Sequence, residues 1–314
     1  MDDHGGVMSV AGDVYRRVLP AGLRGVLWHA RNGGLTRLAD PRVRRDLFAQ
    51  LRLRVGSPRA VVAAPHGRFV VDLRDRWIGR RLFVEGAYEP AECALLSSLV
   101  QPGDRVLDVG ANIGILSVLA SQRAGPTGRV VSVEPDPYNG RLLRRNLALN
   151  RCTNVTVCPV AAGAAAGEAT LYTSATNFGD HRLYADDSAG GRGATVVPVV
   201  RLDDLYDANG WPYPTVVKID VQGLELQVVR GLNRAFAAGG PMSVLTEYWP
   251  HGMANSGGSA AEFLAYFRGH GFTAFVPGDD GSCVPVAWAD IDARVPPLRP
   301  DLPDGAYINL LFRR

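Results

Sequence analysis

The stretch Val106-Leu-Asp-Val-Gly-Ala-Asn-Ile-Gly114 decides how this 314-residue chain folds. Three of its first four residues are apolar, which is typical of a parallel strand covered on both faces. Gly110 can adopt a positive φ and lets the backbone come close to a ligand. A helix that begins at Ile115 would point its free N–H groups at this turn, where they favour an acidic or carboxylate-bearing ligand. The stretch therefore predicts a strand, a glycine turn and a helix beside a binding site.

The spacing within the turn favours one class of ligand. A dinucleotide-binding turn has the pattern G-x-G-x-x-G, whereas here Asn112 replaces the second glycine and Ile115 the third. The turn has instead an acidic residue at Asp108, followed by Gly110, Asn112 and Gly114 at every second position. This pattern resembles the first motif of the class I S-adenosylmethionine methyltransferases. The resemblance implies S-adenosyl-L-methionine as the cofactor, bound over this turn, with Asp108 orienting its methionine end.

A second acidic residue follows one strand–helix unit later. Residues 129–134 (RVVSVE) are predicted to form a strand that ends at Glu134. A carboxylate at this point can accept hydrogen bonds from both ribose hydroxyls of an adenosine cofactor. In the alternative interpretation the unit is purely structural, and Glu134 is a solvated strand end.

Two later strands are predicted to end at the same edge of the sheet. Residues 216–220 (VVKID) end at Asp220, and residues 243–247 (SVLTE) end at Glu247. Ligands of open α/β sheets bind beyond the carboxyl ends of the strands. Asp220 is therefore a candidate for the catalytic base or for positioning a substrate hydroxyl, with Glu247 in support, and is also a candidate cofactor-binding residue. The alternative for Asp220 is a helix N-cap, a role that aspartate often fills.

The favoured candidate for the base is His181, in the irregular polar stretch 173–193. Long polar loops inside compact domains are often functional, and only histidine has an unperturbed pKa, about 6.5, near working pH. The alternative is a surface histidine without a task. A metal held by Asp220 and Glu247 would have no clear third ligand, so no metal site is predicted.

Polar residues also crowd the start of a helix predicted over residues 91–100. Tyr88, Glu89 and Glu92 surround Pro90, which suits the first turn of a helix. They cap this helix or contact the ligand. In the second interpretation, Tyr88 and Glu89 belong to the cofactor site.

Longer pieces of the chain resemble the FkbM family of methyltransferases. The resemblance covers residues 80–275 and implies O-methylation of a small molecule, often a sugar or a polyketide-type natural product. One departure is Gln222, where the family often has glutamate, which weakens the case for a carboxylate or a metal ligand there. The matching pieces are 86–90 (GAYEP), 108–114 (DVGANIG), 133–135 (VEP), 179–181 (GDH), 199–205 (VVRLDDL), 218–225 (KIDVQGLE) and 246–248 (TEY).

The residues after the fourth core strand favour a hydroxyl acceptor. Methyltransferases that act on amino groups of bases or glutamine resemble one another in an Asn/Asp-Pro-Pro-aromatic turn, whereas residues 220–223 here are DVQG. A neutral hydroxyl is a poor nucleophile, and a general base typically contributes about 10²–10⁴-fold. Two other classes stay open: a nucleotide-binding oxidoreductase, which the glycine spacing fits badly, and a non-catalytic Rossmann-like binding protein, which would lack the polar strand ends.

The predicted architecture is an α/β, Rossmann-like class I methyltransferase domain over residues 61–314. Its sheet is expected to be mostly parallel and seven-stranded, with an antiparallel C-terminal strand. Residues 1–60 form a predicted helical extension with ten arginines between Arg16 and Arg54 and an apolar face from Leu19 to Ala30. The extension would cap the domain or make a homodimer contact; the alternative is docking to an anionic membrane or an acidic carrier protein.

Composition excludes several other classes of protein. A net charge of +3 and a pI of about 8.7 are too mild to indicate nucleic-acid binding. No run of about 18 apolar residues suggests a transmembrane segment, and the N-terminus lacks the apolar region of a signal peptide. The four cysteines form no C-x-x-C pair and have no zinc spacing. Reduced thiols in a cytoplasmic protein fit this pattern best.

Overall fold

The structure is a computed structural model that describes residues 41–54, 59–185, 192–278, 281–297 and 306–314. Most of the predicted N-terminal extension, including the apolar face from Leu19 to Ala30, therefore lies outside the described residues. The division of the chain at residue 60 stays a prediction. No helix within the described ranges is long and apolar enough to cross a membrane.

Strands and helices alternate through most of the described chain. The strands are β1 (Arg59–Ala64), β2 (Gly67–Asp72), β3 (Arg105–Val109), β4 (Arg129–Val133), β5 (Val155–Cys158), β6 (Ala161–Ala162), β7 (Gly167–Thr173), β8 (Gly193–Val200), β9 (Val216–Ile219), β10 (Ser243–Tyr248), β11 (Thr273–Pro277), β12 (Cys283–Pro285) and β13 (Ile308–Arg313). The helices are α1 (Pro41–Arg54), α2 (Ile78–Glu85), α3 (Pro90–Leu99), α4 (Ile115–Ala124), α5 (Pro137–Leu149), α6 (Leu202–Asn209), α7 (Glu225–Gly231), α8 (Asn233–Ala237), α9 (Pro250–Asn255) and α10 (Ala260–Gly269).

The central sheet has the strand order β12-β11-β13-β10-β9-β3-β4-β5. From β10 to β5 every neighbouring pair is parallel, while β13 is antiparallel to both β10 and β11. The predicted mostly parallel sheet with an antiparallel C-terminal strand is confirmed. The eighth strand, β12, pairs with β11 over only three residues and is too short to show a strand pattern in the sequence.

Both faces of this sheet are buried. Successive side chains of a strand point to opposite faces, so neighbouring residues of one strand belong to different core clusters. Val106 belongs to the core cluster that contains the hairpin β1–β2 and helices α2 to α5, whereas Leu107 belongs to the cluster that contains α6 to α10. Val216 and Val217 of β9 divide in the same way. The near-continuous apolar runs of these strands follow directly from this sandwich of helix, sheet and helix.

Two neighbouring strand ends meet at the glycine turn. Gly110 has φ 81°, and a Cβ atom built there would lie 1.9 Å from the carbonyl oxygen of Asp220. The backbone N–H of Asp220 in turn donates to the carbonyl of Val109 at 3.0 Å. Because α7 begins at Glu225 with Leu224 at its N-cap, Asp220 is not the cap of that helix and remains at the strand end.

Strands β1 and β2 form a hairpin with its turn at residues 65 and 66. Helix α2 was not predicted, because its sequence IGRRLFVE is short and follows an arginine-rich segment. The strands β6, β8 and β7 form a separate three-stranded sheet, and the predicted polar stretch connects β7 to β8.

The close approach at Gly110 predicts a large effect of Gly110→Ala on stability. Gly210 is the matched control, because it also has a positive φ, 61°, but has no atom within 4 Å of a built Cβ. We expect Gly210→Ala to lower the free energy of unfolding by about 1–2 kcal/mol, the usual cost of a left-handed L-residue. Gly110→Ala should cost about 3 kcal/mol or more, because the Asp220 backbone must also move. Urea denaturation measures both, and equal losses would contradict the packing argument.

Candidate active site

A cavity of about 290 Å³ opens at the carboxyl edge of the parallel strands, close to the lower end of the range for small-molecule sites. Its wall is formed by the β3–α4 turn, the ends of β4, β9 and β10, and the segments before α3 and β8. All the site residues predicted from the sequence line this one cavity: Tyr88, Glu89, Asp108, Gly110, Asn112, Gly114, Glu134, His181, Asp220 and Glu247.

Glu134 is held rigidly at the end of β4. Its Oε2 accepts a hydrogen bond from the backbone N–H of Asn112 at 2.8 Å, and its Oε1 accepts one from that of Asp136 at 2.8 Å. Burial raises the pKa of Glu134 to about 8, although these two N–H groups act in the opposite direction. A carboxylate has about four acceptor positions, so each oxygen can still accept a hydrogen bond from a ligand.

Asn112 explains why the turn carries asparagine where a dinucleotide-binding turn has glycine. Its φ is 50°, a left-handed conformation that asparagine tolerates better than most residues. Its side chain accepts from the N–H of Ile113 and donates to the carbonyl of Phe178, both at 2.7 Å. Asn139 on α5 donates to the same carbonyl at 3.0 Å. The polar stretch is thereby fastened over the glycine turn.

Asp108 presents a buried oxygen that has no partner among the described residues. Its Oδ2 accepts from the hydroxyl of Ser117 at 2.6 Å, while its Oδ1 accepts no hydrogen bond from the described chain. Burial raises the pKa of Asp108, and the nearby ammonium of Lys218 partly offsets that rise. A buried acceptor without a donor costs about 1–3 kcal/mol, so a ligand that donates to Oδ1 would be bound favourably.

Lys218 is a site residue that sequence reasoning did not assign. Its ammonium lies 3.1 Å from Asp220 Oδ2 and 4.0 Å from Glu92 Oε1, and Gln222 donates to Asp220 Oδ1 at 2.8 Å. The sequence did contain a signal, since Lys218 is the one lysine among 34 basic residues. Every other basic residue is arginine, so the chain departs from its usual cation at this one position.

His181 lines the cavity, but its ring nitrogens face the protein. Its Nδ1 accepts a hydrogen bond from the backbone N–H of Ser174 at 3.2 Å, and its Nε2 lies 3.7 Å from Asp136 Oδ2. Burial lowers the pKa of His181, although Asp136 and Asp180 act in the opposite direction. The hydrogen bond to Nδ1 places the proton of the neutral ring on Nε2, so the basic nitrogen is occupied by Ser174.

Asp220 and Glu247 stand where this cavity meets a second one of about 300 Å³. Arg81, Glu89 and Tyr307 line both cavities as well, so the two spaces share a charged wall that is mostly acidic. Burial, reinforced by Asp220 and Glu225, raises the pKa of Glu247 well above its ordinary value. Within the described ranges, no group of three or more His, Cys, Asp or Glu side chains could hold a metal ion.

The strand order and the position of this site define the class I methyltransferase fold. A family model described as "Methyltransferase FkbM domain" matches residues 108–274. The chain therefore belongs to the FkbM methyltransferase family, as the resemblance of its motifs implied, and the protein is a methyltransferase of the FkbM type.

Three relatives illustrate the range of similarity. The 31-O-demethyl-FK506 methyltransferase FkbM of Streptomyces tacrolimicus is 28% identical over 269 residues, which cover 74% of this chain and 92% of that protein. The hexuronic acid methyltransferase AglP of Haloferax volcanii is 30% identical over 145 residues, 45% of this chain and 55% of that one. The crystal structure of methyltransferase FkbM from Methylobacillus flagellatus KT is 15% identical, with a TM-score of 0.40, covering 87% of this chain and 59% of that chain.

Glu225 predicts a pH dependence of stability, because it shapes the loop after Asp220. Its Oε1 accepts from the N–H groups of Val221 and Gly223, both at 3.2 Å, while its buried Oε2 has no partner among the described residues. Burial raises the pKa of Glu225 to about 7. The unfolded chain releases this proton near pH 4.5, so the free energy of unfolding falls as the pH rises from about 4.5 to 7.

Glu225→Gln keeps the Oε1 acceptor and removes the titration. The difference in unfolding free energy between the variant and the wild type should grow by on the order of 3 kcal/mol between pH 5 and pH 8. Urea denaturation at both pH values measures it, with the exposed Glu168→Gln as control. A difference that stays constant with pH would show that Glu225 is ionised throughout.

Proposed function

We propose that the protein is an S-adenosylmethionine-dependent O-methyltransferase that acts on a hydroxyl of a small molecule. The observation that carries this proposal is the unpartnered, buried Oδ1 of Asp108, beside the glycine turn and in the same cavity as Glu134. An adenosine cofactor with an ammonium at its methionine end has donors for both carboxylates. Two relatives support a small-molecule acceptor, since one is a 31-O-demethyl-FK506 methyltransferase and the other a hexuronic acid methyltransferase.

Different residues of the chain bind different parts of this cofactor. Glu134 accepts the ribose hydroxyls, because its two oxygens are fixed by backbone N–H groups and line the cavity. Gly110 and Gly114 leave room for the backbone to approach the ligand, and Asp108 accepts from the ammonium. Tyr88 and Glu89, at the start of α3, lie on the same wall. The cofactor would supply an electrophilic methyl group on a sulfonium.

Asp220 is the residue that the geometry favours as the proton acceptor. It lies between the cofactor cavity and the second cavity, and its side chain is 30% exposed. The ammonium of Lys218 lies 3.1 Å from its Oδ2 and helps to orient the carboxyl group. The hydroxyl proton becomes acidic as the oxygen bonds the methyl carbon, so a carboxylate within reach can accept it. Glu247 supports the same hydroxyl from β10.

His181 remains the rival base. It would have to release the N–H of Ser174 or rotate before its lone pair could face a substrate. In the present geometry its ring serves as cavity wall, packed beside Phe178 at a centroid distance of 6.2 Å.

The cofactor assignment predicts the ligand response of the purified protein. S-adenosylhomocysteine should raise the melting temperature, and NAD should not. Glu134→Ala should lower the affinity for S-adenosylhomocysteine about tenfold by calorimetry, because it removes two hydrogen bonds that each contribute about 0.5–1.5 kcal/mol. Glu168→Ala, an exposed glutamate outside the cavity, should leave it unchanged. Stabilisation by NAD alone would support an oxidoreductase instead.

The acceptor and the base can be tested together in a deletion strain. Metabolite profiling should reveal a species lighter by one methyl group, and the wild-type gene should restore the methylated form. With that species as substrate, Asp220→Asn should lower kcat at least about 10²-fold, whereas His181→Ala should remain near wild type. Both variants should keep their affinity for S-adenosylhomocysteine. If His181→Ala is inactive and Asp220→Asn is active, the base is His181.

A further inference from the structure

Lys218 stands out because the chain uses lysine nowhere else. The sequence has 34 basic residues, and the other 33 are arginines. Lys218 is only 5% exposed and lies on the central strand β9, two residues before Asp220. An exposed cation would show the same arginine preference as the rest of the chain, so the exception points to a requirement of this buried position.

One ammonium serves two carboxylates here. Lys218 Nζ lies 3.1 Å from Asp220 Oδ2 on its own strand end and 4.0 Å from Glu92 Oε1 on α3. The side chain of Asp220 is 30% exposed and that of Glu92 only 8%. Gln222 also donates to Asp220. Compared with Glu92, Asp220 thus has the shorter ion pair with Lys218, a second hydrogen-bond donor and more exposure to solvent. Of the two carboxyl groups, Asp220 is the one whose negative charge is better stabilised.

The surroundings of Asp220 are otherwise mostly acidic, with Arg81 of α2 as a further cation on the wall of both cavities. Titratable groups approach it from every element packed around the strand end, and the described residues give it one ion pair, the one with Lys218. These groups are Tyr88, Glu89 and Glu92 at α3, Asp108 on β3, Glu225 on α7, Glu247 on β10 and Tyr307 before β13.

We propose that Lys218 is a positioning residue that holds the carboxyl group of Asp220 aimed at the acceptor, while Glu92 holds a proton as the second partner of the same ammonium. This inference rests on the proposed role of Asp220. Burial raises the pKa of Glu92 well above its ordinary value, with Glu89 in support and Lys218 in opposition. For Lys218, burial lowers the pKa, but Asp220, Glu92 and Asp108 outweigh that effect and raise it above the ordinary lysine value.

Lysine suits this task better than arginine. Its ammonium is a compact charge with three donors, whereas a guanidinium is a planar fork that fits a single carboxylate side by side. Between β9 and α3, one small cation can stand beside two carboxylates that approach from different elements. An arginine would need more room in a region where the neighbouring residues of β9 are buried.

The arrangement keeps the proton balance of the reaction simple. As the acceptor oxygen bonds the methyl carbon and the carbon–sulfur electron pair stays on sulfur, Asp220 takes the hydroxyl proton. The ammonium of Lys218 then faces two protonated carboxyl groups, which favours release of the new proton to solvent. The exposed side of Asp220 provides the path, and loss of that proton restores the ionised base.

The single lysine makes a direct measurement possible without a known acceptor. Protein labelled with ¹³C,¹⁵N-lysine, carrying a lysine-free purification tag, shows one lysine side chain by NMR. The midpoint of the Lys218 ¹³Cε titration is measured for the wild type, Asp220→Asn and Glu92→Gln. Glu262→Gln is the control, because Glu262 pairs with Arg230 on the surface. Every variant leaves Lys218 in place, and far-ultraviolet circular dichroism checks that each is folded.

In the wild type we expect Lys218 to stay protonated at pH values above the ordinary lysine pKa of about 10.4. Asp220→Asn should lower the Lys218 midpoint by about 1–3 pH units, the usual effect of one opposite charge at this range. Glu92→Gln should change it less, since a protonated Glu92 contributes little charge. If Glu92→Gln lowers the midpoint more than Asp220→Asn, the ion pair belongs to Glu92 and the proposal is wrong. The proposal also fails if Asp220→Asn behaves like the Glu262→Gln control.

The outcome is separable from that of the proposed function. Binding of S-adenosylhomocysteine by the wild type, measured by calorimetry, tests the cofactor. If the wild type does not bind it but shows the expected lysine titrations, the Lys218–Asp220 pair stands and the proposed methyl transfer is wrong. If the wild type binds it but Asp220→Asn does not change the lysine titration, the cofactor site stands and the positioning role of Lys218 is wrong.

Discussion

The contact between the ends of two neighbouring parallel strands organises the rest of this molecule. A side chain at residue 110 would occupy the space of the Asp220 carbonyl, so glycine is needed there for the strands to run side by side to their ends. Parallel pairing from β10 to β5 then directs the carboxyl ends to one edge. The same contact that completes the sheet therefore sets Asp220 beside the turn under the cavity.

This geometry also explains why so many acidic groups tolerate one another. Glu134 and Asp220 directly follow a strand, and Asp108 and Glu247 are the next-to-last residues of one, so the topology brings all four together even if their charges repel. The protein manages this crowding in different ways. Glu134 accepts hydrogen bonds from backbone N–H groups, Asp108 accepts one from the hydroxyl of Ser117, and Asp220 accepts one from the ammonium of Lys218. Burial favours the protonated form of Glu247. Carboxylates with such different partners can carry different tasks within one cavity.

The features set by topology could be predicted from the sequence, whereas those set by local packing could not. The glycine turn, the order of the core strands and the membership of the cavity wall depend on strand ends, which hydrophobic runs mark clearly. Three features could not be predicted in this way. Helix α2 is only eight residues long, the ring of His181 is oriented by the Ser174 backbone, and Lys218 pairs with Glu92, which is distant in sequence. Periodicity cannot show which atom of a side chain faces a cavity, because rotamers are set by neighbours.

The carbonyl of Phe178 accepts hydrogen bonds from two asparagines, one in the glycine turn and one on α5. A carbonyl oxygen with both acceptor positions filled makes the loop a fixed bridge across one side of the cavity. Moving the loop away from that side would break both hydrogen bonds at once and leave two amide groups and one carbonyl unpaired, so this movement costs free energy. Trp77 and Tyr307, which are 54% and 52% exposed, also line the cavity. Their rings are surface that an incoming cofactor or acceptor can contact without breaking the hydrogen bonds to the Phe178 carbonyl.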